Sequence, residues 1–252
     1  MHALAIRTPI LKQKDDLVNV ILDSLESHKV ELKDKDILAI SSKAIATIEA
    51  RIVPLEKVIP SESAKQVAHR HSLEPGFSEL VLKEADEIYG GVYKAILTLK
   101  NGILTVNAGI DRKNAPAGYA ALWPSNPQNV ADEIHAEIKQ RSGRVVGVVI
   151  VDSQLAPLRM GTRGLALAVS GFKPVEDCRG KKDLFQKPLL ITRHSVGDDL
   201  ASTAHLLMGE ANKQIPVVLI RDAPVTFVDR VDAEEMKIPE RECVYMHAFQ
   251  SI

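Results

Sequence analysis

Three carboxylates stand where a folded chain could put them to chemical use. Asp111 ends one predicted strand, Asp152 ends the most apolar one, and Glu210 follows the glycine that closes a predicted helix. Carboxylate oxygens fixed at the ends of elements suit a hard divalent cation such as Mg²⁺ or Mn²⁺, and Ser153 and Asn114 nearby offer neutral oxygens. Arg159, Arg163, Arg179, Lys181 and Lys182 form a cationic group in glycine-bearing loops, where such side chains can grip phosphate or carboxylate. Each residue also has a plainer reading: an aspartate at a strand end is commonly a turn former or cap, and a surface cation is commonly just solvated. His69 and His71 read as surface residues of a charged helix, and His205 as a core histidine.

The common nucleotide and hydrolase signatures are absent. There is no G-x-x-x-x-G-K-[ST] loop, no H-E-x-x-H, no G-x-S-x-G and no strand-linked G-x-G-x-x-G. A nucleotide bound here is therefore held without a Walker loop.

The elements that must position these groups follow from hydrophobic periodicity. Residues 15–28 place Leu17, Ile21, Leu22 and Leu25 on one helical face, and residues 36–40 form a short apolar strand running into Ser41-Ser42-Lys43, a strand end of the kind that holds ligands. Two helices are expected between residues 61 and 87, then a hairpin of strands 93–99 and 103–106 around Lys100-Asn101-Gly102. Residues 107–124 read as loop. A helix capped by Asn126, with Pro127 in its first turn, runs to Arg141 and ends at Gly143. Residues 145–151 are a β-branched run with the character of a central strand covered on both faces, ending at Asp152-Ser153. Further strands are expected at 165–169, 189–192 and 216–220, with a helix over 199–208 capped by Asp198 or Asp199. The fold class is α+β, with mixed sheets, flanking helices and two interleaved lobes. With no repeat or Gly/Ser linker, residues 1–252 read as a single unit.

Composition removes several function classes. The chain has 252 residues, 45% hydrophobic and 26% charged, enough for a substantial core, and its net charge of -1 gives no surplus for nucleic acid or an anionic membrane. Aromatics make up only 4%, with one tryptophan, so a base-stacking platform is not expected either. Cys178 and Cys243 are too few for a disulfide framework, which points to a reducing, cytoplasmic setting. No apolar window approaches a membrane span of about 18 residues, and the apolar N-terminal stretch is too short for an export signal.

Four blocks resemble the γ-glutamyl ligase family that adds glutamate to the precursor of the deazaflavin coenzyme F-420. They are residues 36–42 with Glu49-Ala50-Arg51; Asn107-Ala108-Gly109-Ile110-Asp111 with Asn114 and Leu122-Trp123-Pro124; residues 148–153 with Arg159 and Gly161; and residues 198–216 with Met208-Gly209-Glu210. The resemblance implies an enzyme that joins L-glutamate to a carboxylated acceptor at the expense of GTP, through an acyl phosphate. It also implies Mg²⁺ or Mn²⁺, K⁺ in some members, and a homodimer. Carried over by position, the metal ligands are Asp111, Asp152, Ser153 and Glu210, and the catalytic residues Asp111, Asp152 and Arg159. The nucleotide contacts are Thr8, Pro9, Ile10, Leu11, Ser41, Ser42 and Asn114. The partners implied are small molecules, with no nucleic acid and no membrane.

The chain departs from the family pattern in places. Ala46-Thr47 stands where the family has Ser-Lys, Ala50 replaces the glycine of Glu-Gly-Arg, and residues 154–158 replace a Gly-Arg after Asp152-Ser153. Pro157-Leu158-Arg159 and Asp222-Ala223-Pro224 more closely resemble a divergent branch described as folate-related γ-glutamate ligases. A folate-like acceptor, or a nucleotide-binding paralogue without catalysis, therefore stands beside the deazaflavin reading. The flavin-binding domain fused to some members is not expected here.

Overall fold

The computed structural model describes residues 1–250. The chain opens with β1 (His2–Ile6) and α1 (Leu17–Ser27), whose first turn is capped by Asp16 accepting from the Asn19 N–H. β2 (Ile37–Ser41) runs directly into the short α2 (Ser42–Ile48), so the polar strand end expected from the sequence is itself a helix start. β3 (Ile52–Pro54), α3 (Glu62–His71) and α4 (Pro75–Glu84) follow, then the meander β4 (Glu87–Val92), β5 (Ala95–Lys100) and β6 (Ile103–Val106). The β5–β6 turn is the expected one, with Asn101 and Gly102 both at positive φ as a type I′ hairpin requires. β4 was not predicted, because its Tyr-Gly-Gly centre lacks alternation.

β7 (Tyr119–Ala121) pairs with β3, and α5 (Pro127–Ser142) returns the chain to the main sheet, capped by Asn126 and ended by Gly143 as expected. β8 (Gly147–Leu155) and β9 (Thr162–Ser170) form a long hairpin; β8 continues past Asp152, which is thus inside the strand and not at its end. The two-residue strands β10 (Glu176–Asp177) and β11 (Arg193–His194) pair with each other, then come α6 (Val196–Met208), β12 (Val217–Arg221) and the terminal α7 (Val244–Gln250). The expected strand at 189–192 is not formed. Leu190 and Ile191 are exposed apolar residues of a loop, a pattern that mimics a buried strand when read alone. Helix α6 is capped at Ser195; Asp198 instead accepts from the Ala166 N–H and the Ser195 hydroxyl, and Asp199 pairs with His194.

Five strands make the central sheet in the order β1-β12-β2-β8-β9, with β2 and β8 parallel and the other pairs antiparallel. The pleat sorts its side chains into two cores. Leu38, Ile40, Val148, Ile150, Val217 and Leu219 face α1 and α5, while Ile37, Ala39, Val149, Val151, Val218 and Ile220 face α6. Each of these valine, leucine and isoleucine side chains, fully buried, contributes about 1.5–3 kcal/mol, so the sheet is a stiff platform for whatever its strand ends carry. The chain leaves this platform after α2, builds a third core from Leu55, Phe77, Val81, Ile96, Ile110 and Leu122, and returns with α5. The excursion matters because it ends in Trp123, which is 2% exposed in the core under α1 and α5. Residues 120–123 are therefore packed structure, not the loop their Gly and Pro neighbours suggest.

Candidate active site

Asp111, Asp152 and Glu210 come from three distant segments and converge on one cation, Lys43. Lys43 occupies the first turn of α2, and its Nζ lies 2.7 Å from Asp111 Oδ2. Burial works against the ammonium's charge, but Asp152, Asp111 and Glu210 together outweigh it and hold its pKa above the ordinary value. Asp111 is pinned by reciprocal backbone bonds with Ala121 and accepts from the Lys113 N–H. Burial alone would raise its pKa, yet Lys43 and Lys113 bring it below the usual carboxylate range. Asp152 sits deepest, its Oδ1 accepting from Ser42 Oγ at 2.9 Å and its Oδ2 from Trp123 Nε1 at 2.5 Å. Here burial wins and the carboxyl is pushed up. Glu210 accepts from Thr162 Oγ1 at 2.5 Å, from Lys113 Nζ at 3.0 Å, and is 2.7 Å from His205 Nε2. These bonds outweigh its desolvation and bring its pKa down to about 2.

Beside this cluster opens a cavity of 370 Å³. Thr8, Pro9, Ile10, Leu11, Ser41 and Asn114 line it together with Lys43, Thr47, Gly209 and Gln214. Six of the seven expected nucleotide contacts thus share one wall system, although they are spread over more than a hundred residues of sequence. Ser42 is the exception, since its hydroxyl serves Asp152. Ser153 follows Asp152 in β8, where side chains alternate in direction, and it is its backbone N–H that reaches the Asp152 carboxylate. Arg159 is not brought to the cluster: it lies exposed at the β8–β9 turn, its guanidinium without a hydrogen bond or ion pair among the described residues.

The donor chemistry fits a divalent ion, being three carboxylates and hydroxyls on rigid strand and helix ends. The geometry is that of a cluster charge-balanced by Lys43, however, and among the described residues no three His, Cys, Asp or Glu side chains form a ready cage. An ion entering here would take over carboxylates that now serve the ammonium.

The chain matches the model of the family described as F420-0:Gamma-glutamyl ligase over residues 5–222. It belongs to that family. It is similar to the coenzyme F420:L-glutamate ligase of Methanocaldococcus jannaschii, 39% identical over 228 residues that cover 90% of each chain. The proteins of the same name from Archaeoglobus fulgidus and Methanococcus maripaludis are 37% identical over 84% of each chain and 33% over 96% of each.

Within the γ-glutamyl ligase family frame, the chain's departures now have places. Thr47, where the family pattern has lysine, lines this cavity and gives its hydroxyl to the Lys43 carbonyl. Ala50 adopts φ 58°, the left-handed conformation for which a glycine is suited. Four site residues escaped sequence reasoning. In the sequence Lys43 is only one residue of a polar run, the neighbours of Trp123 signal loop, and Thr162 carries no signal. His205, read as a core histidine, is half-buried against Glu210, and His71, read as surface, is buried.

Proposed function

We propose that this protein is a nucleoside-triphosphate-dependent γ-glutamyl ligase joining L-glutamate to the carboxylate of a deazaflavin coenzyme precursor. Relatives bearing the name coenzyme F420:L-glutamate ligase over most of both chains support the reading. The observation that carries it is the convergence of Asp111, Asp152 and Glu210 on Lys43 at the wall of a cavity lined by Thr8, Ser41 and Asn114.

In this reading the nucleotide, GTP by the family resemblance, lies along Thr8, Pro9, Ile10, Leu11, Ser41 and Asn114, with Ser42 at its edge. An oxygen of the acceptor carboxylate bonds to the γ-phosphorus as the bridging P–O bond breaks, releasing the nucleoside diphosphate and leaving an acyl phosphate. The glutamate amine then attacks the acyl carbon, the C–O bond to phosphate breaks, and the amine gives up a proton as the amide forms. Mg²⁺ or Mn²⁺ held by Asp111, Asp152 and Glu210 would supply charge neutralisation for the phosphates, with K⁺ a further ion in the family pattern; Ser153, next to Asp152 in β8, would act there through its backbone N–H. Lys43, on a flexible stem between acids and cavity, balances the carboxylates in the resting protein and offers its ammonium to phosphate oxygens once they are otherwise engaged. Arg159, unpaired at the β8–β9 turn, is available to an anionic acceptor.

Thr47 favours a second reading, the same ligation with another triphosphate or a folate-like acceptor, because it leaves that cavity wall without a second cation. A homodimer in the cytoplasm belongs to the proposal as well; Leu158, Met160, Leu184 and Phe185 are exposed apolar residues that a second copy could cover, and no helix of the described residues is long and apolar enough to cross a membrane. The test is purified protein with Mn²⁺ or Mg²⁺ and radiolabelled glutamate, comparing GTP with ATP and deazaflavin with folate acceptors. Labelled amide and phosphate in equal amounts with the deazaflavin precursor is the expected result. Nucleotide binding with no product from any pair would overturn it.

A further inference from the structure

Trp123 is the only tryptophan in the chain and lies at the floor of the carboxylate cluster. Its indole N–H and the Ser42 hydroxyl each hold one oxygen of Asp152, at 2.5 and 2.9 Å, so the plane of that carboxylate is set by two donors from separate segments. The indole is clamped in turn. Gly109, at φ +71°, passes so close that a Cβ there would sit 2.1 Å from Trp123 Cε2. The Trp123 carbonyl accepts from Arg51 Nε at 2.5 Å, and Lys100 Nζ stands 5.8 Å from the ring centroid.

Arg51 and Lys100 share one acid. Arg51 Nη2 donates to both oxygens of Glu84 at 3.0 and 2.9 Å, and the buried Lys100 pairs with the same carboxylate. An indole used as core filler needs one partner for its N–H and hydrophobic neighbours. This one has an ion-paired collar on its backbone and ring, a glycine fitted against it, and a candidate metal ligand as its acceptor. The Asn-Ala-Gly-Ile-Asp and Leu-Trp-Pro blocks thereby pack as one device, the Gly109 backbone of the first against the indole of the second.

We infer that Trp123 is a positioning residue, which holds Asp152 in the orientation its ligand requires and is itself held by Gly109 and the Arg51–Glu84–Lys100 cluster. The inference rests on the ligase reading for the purpose of that ligand, but its test does not need turnover. Because the chain has a single tryptophan, growth on β-(3-benzothienyl)alanine replaces one N–H by sulfur at this position and nowhere else, keeping ring shape. Mn²⁺ binding, read from the electron-spin signal of the free ion, is expected to weaken by about 10–100-fold, the usual consequence of removing an orienting partner of a metal ligand. The thermal midpoint should stay close to that of the parent. Trp123→Phe, which removes the donor and narrows the ring, should shift Mn²⁺ binding in the same direction.

Equal Mn²⁺ affinity in the parent and the benzothienyl protein would overturn the inference while leaving the metal assignment standing. A parent protein that binds no Mn²⁺ would overturn both. Absence of any glutamylated product, with the Mn²⁺ difference present, would sink the ligase reading alone.

Discussion

Lys43 Nζ lies 2.7 Å from Asp111 Oδ2 and stands within the field of Asp152 and Glu210 as well. One ammonium thus serves three acids delivered by the segment after β6, the interior of β8 and the end of α6. The arrangement makes the cluster stable without a metal and gives any entering ion a definite competitor. It also puts a cation at the wall of the cavity where triphosphate is proposed to lie.

Lys43→Met keeps most of the stem volume and removes the charge. Glutamate incorporation is expected to fall by about 100–1,000-fold, the scale seen when a preorganised electrostatic group is removed. Mn²⁺ affinity should be held or increased, because the ion's competitor is gone. Loss of Mn²⁺ binding in this variant would show that the ammonium organises the acids and does not compete for them.

Asp152→Asn preserves shape and the bond from Ser42 but removes a charge at the deepest point of the cluster and sets an amide NH₂ against the Trp123 N–H. Labelled amide formation should drop by about 100-fold or more while the circular dichroism spectrum is unchanged. Activity within about twofold of the parent would remove Asp152 from the metal set.

Much of this site was legible before the structure, and the reason differs by residue. Asp111, Asp152 and Glu210 announce themselves as acids beside apolar runs, and periodicity placed α1, α5, β8, β9 and β12 because each buries a regular face. What periodicity cannot carry is a long-range contact whose chemistry is common in both partners. Lys43 has the sequence context of any polar helix start, and only the return of Asp111 in the segment after β6 gives it meaning. Trp123 is hidden by Pro124 and by the glycines before it, which signal loop although the segment packs into the sheet's core. The exposed Leu190 and Ile191 mislead in the other direction, since apolar residues in a surface loop read as strand.

Ala50 tests the departure from the family's Glu-Gly-Arg. It follows α2 at φ 58°, with the Arg51 N–H bonded to the Ala46 carbonyl and its own N–H to that of Thr47, the paired bonds of a left-handed helix stop. A Cβ in that conformation costs about 1 kcal/mol, partly offset by the greater freedom of an unfolded glycine. Ala50→Gly should therefore raise the thermal midpoint by roughly 2 °C. A lower midpoint would mean that the methyl group packs usefully against its surroundings.

Asp16 ties α1 to α5 and gives a pH dependence whose sign can be worked out. Its carboxylate accepts from the Asn19 N–H at 3.1 Å and from Arg141 Nη1 at 2.8 and 2.7 Å, and these bonds hold its pKa below the ordinary value. A carboxylate with a lowered folded-state pKa adds stability that is present above its unfolded pKa and is lost as pH falls through the folded one. The group is largely exposed, so the ion pair is screened and the cap is the larger part of the effect, about 1 kcal/mol. Asp16→Ala should lower the unfolding free energy from urea titration by that amount at about pH 7. At about pH 3, where the unfolded aspartate is already mostly protonated, the gap should narrow. A gap of the same size at both values would assign the whole contribution to uncharged capping and leave the Arg141 pair without a share.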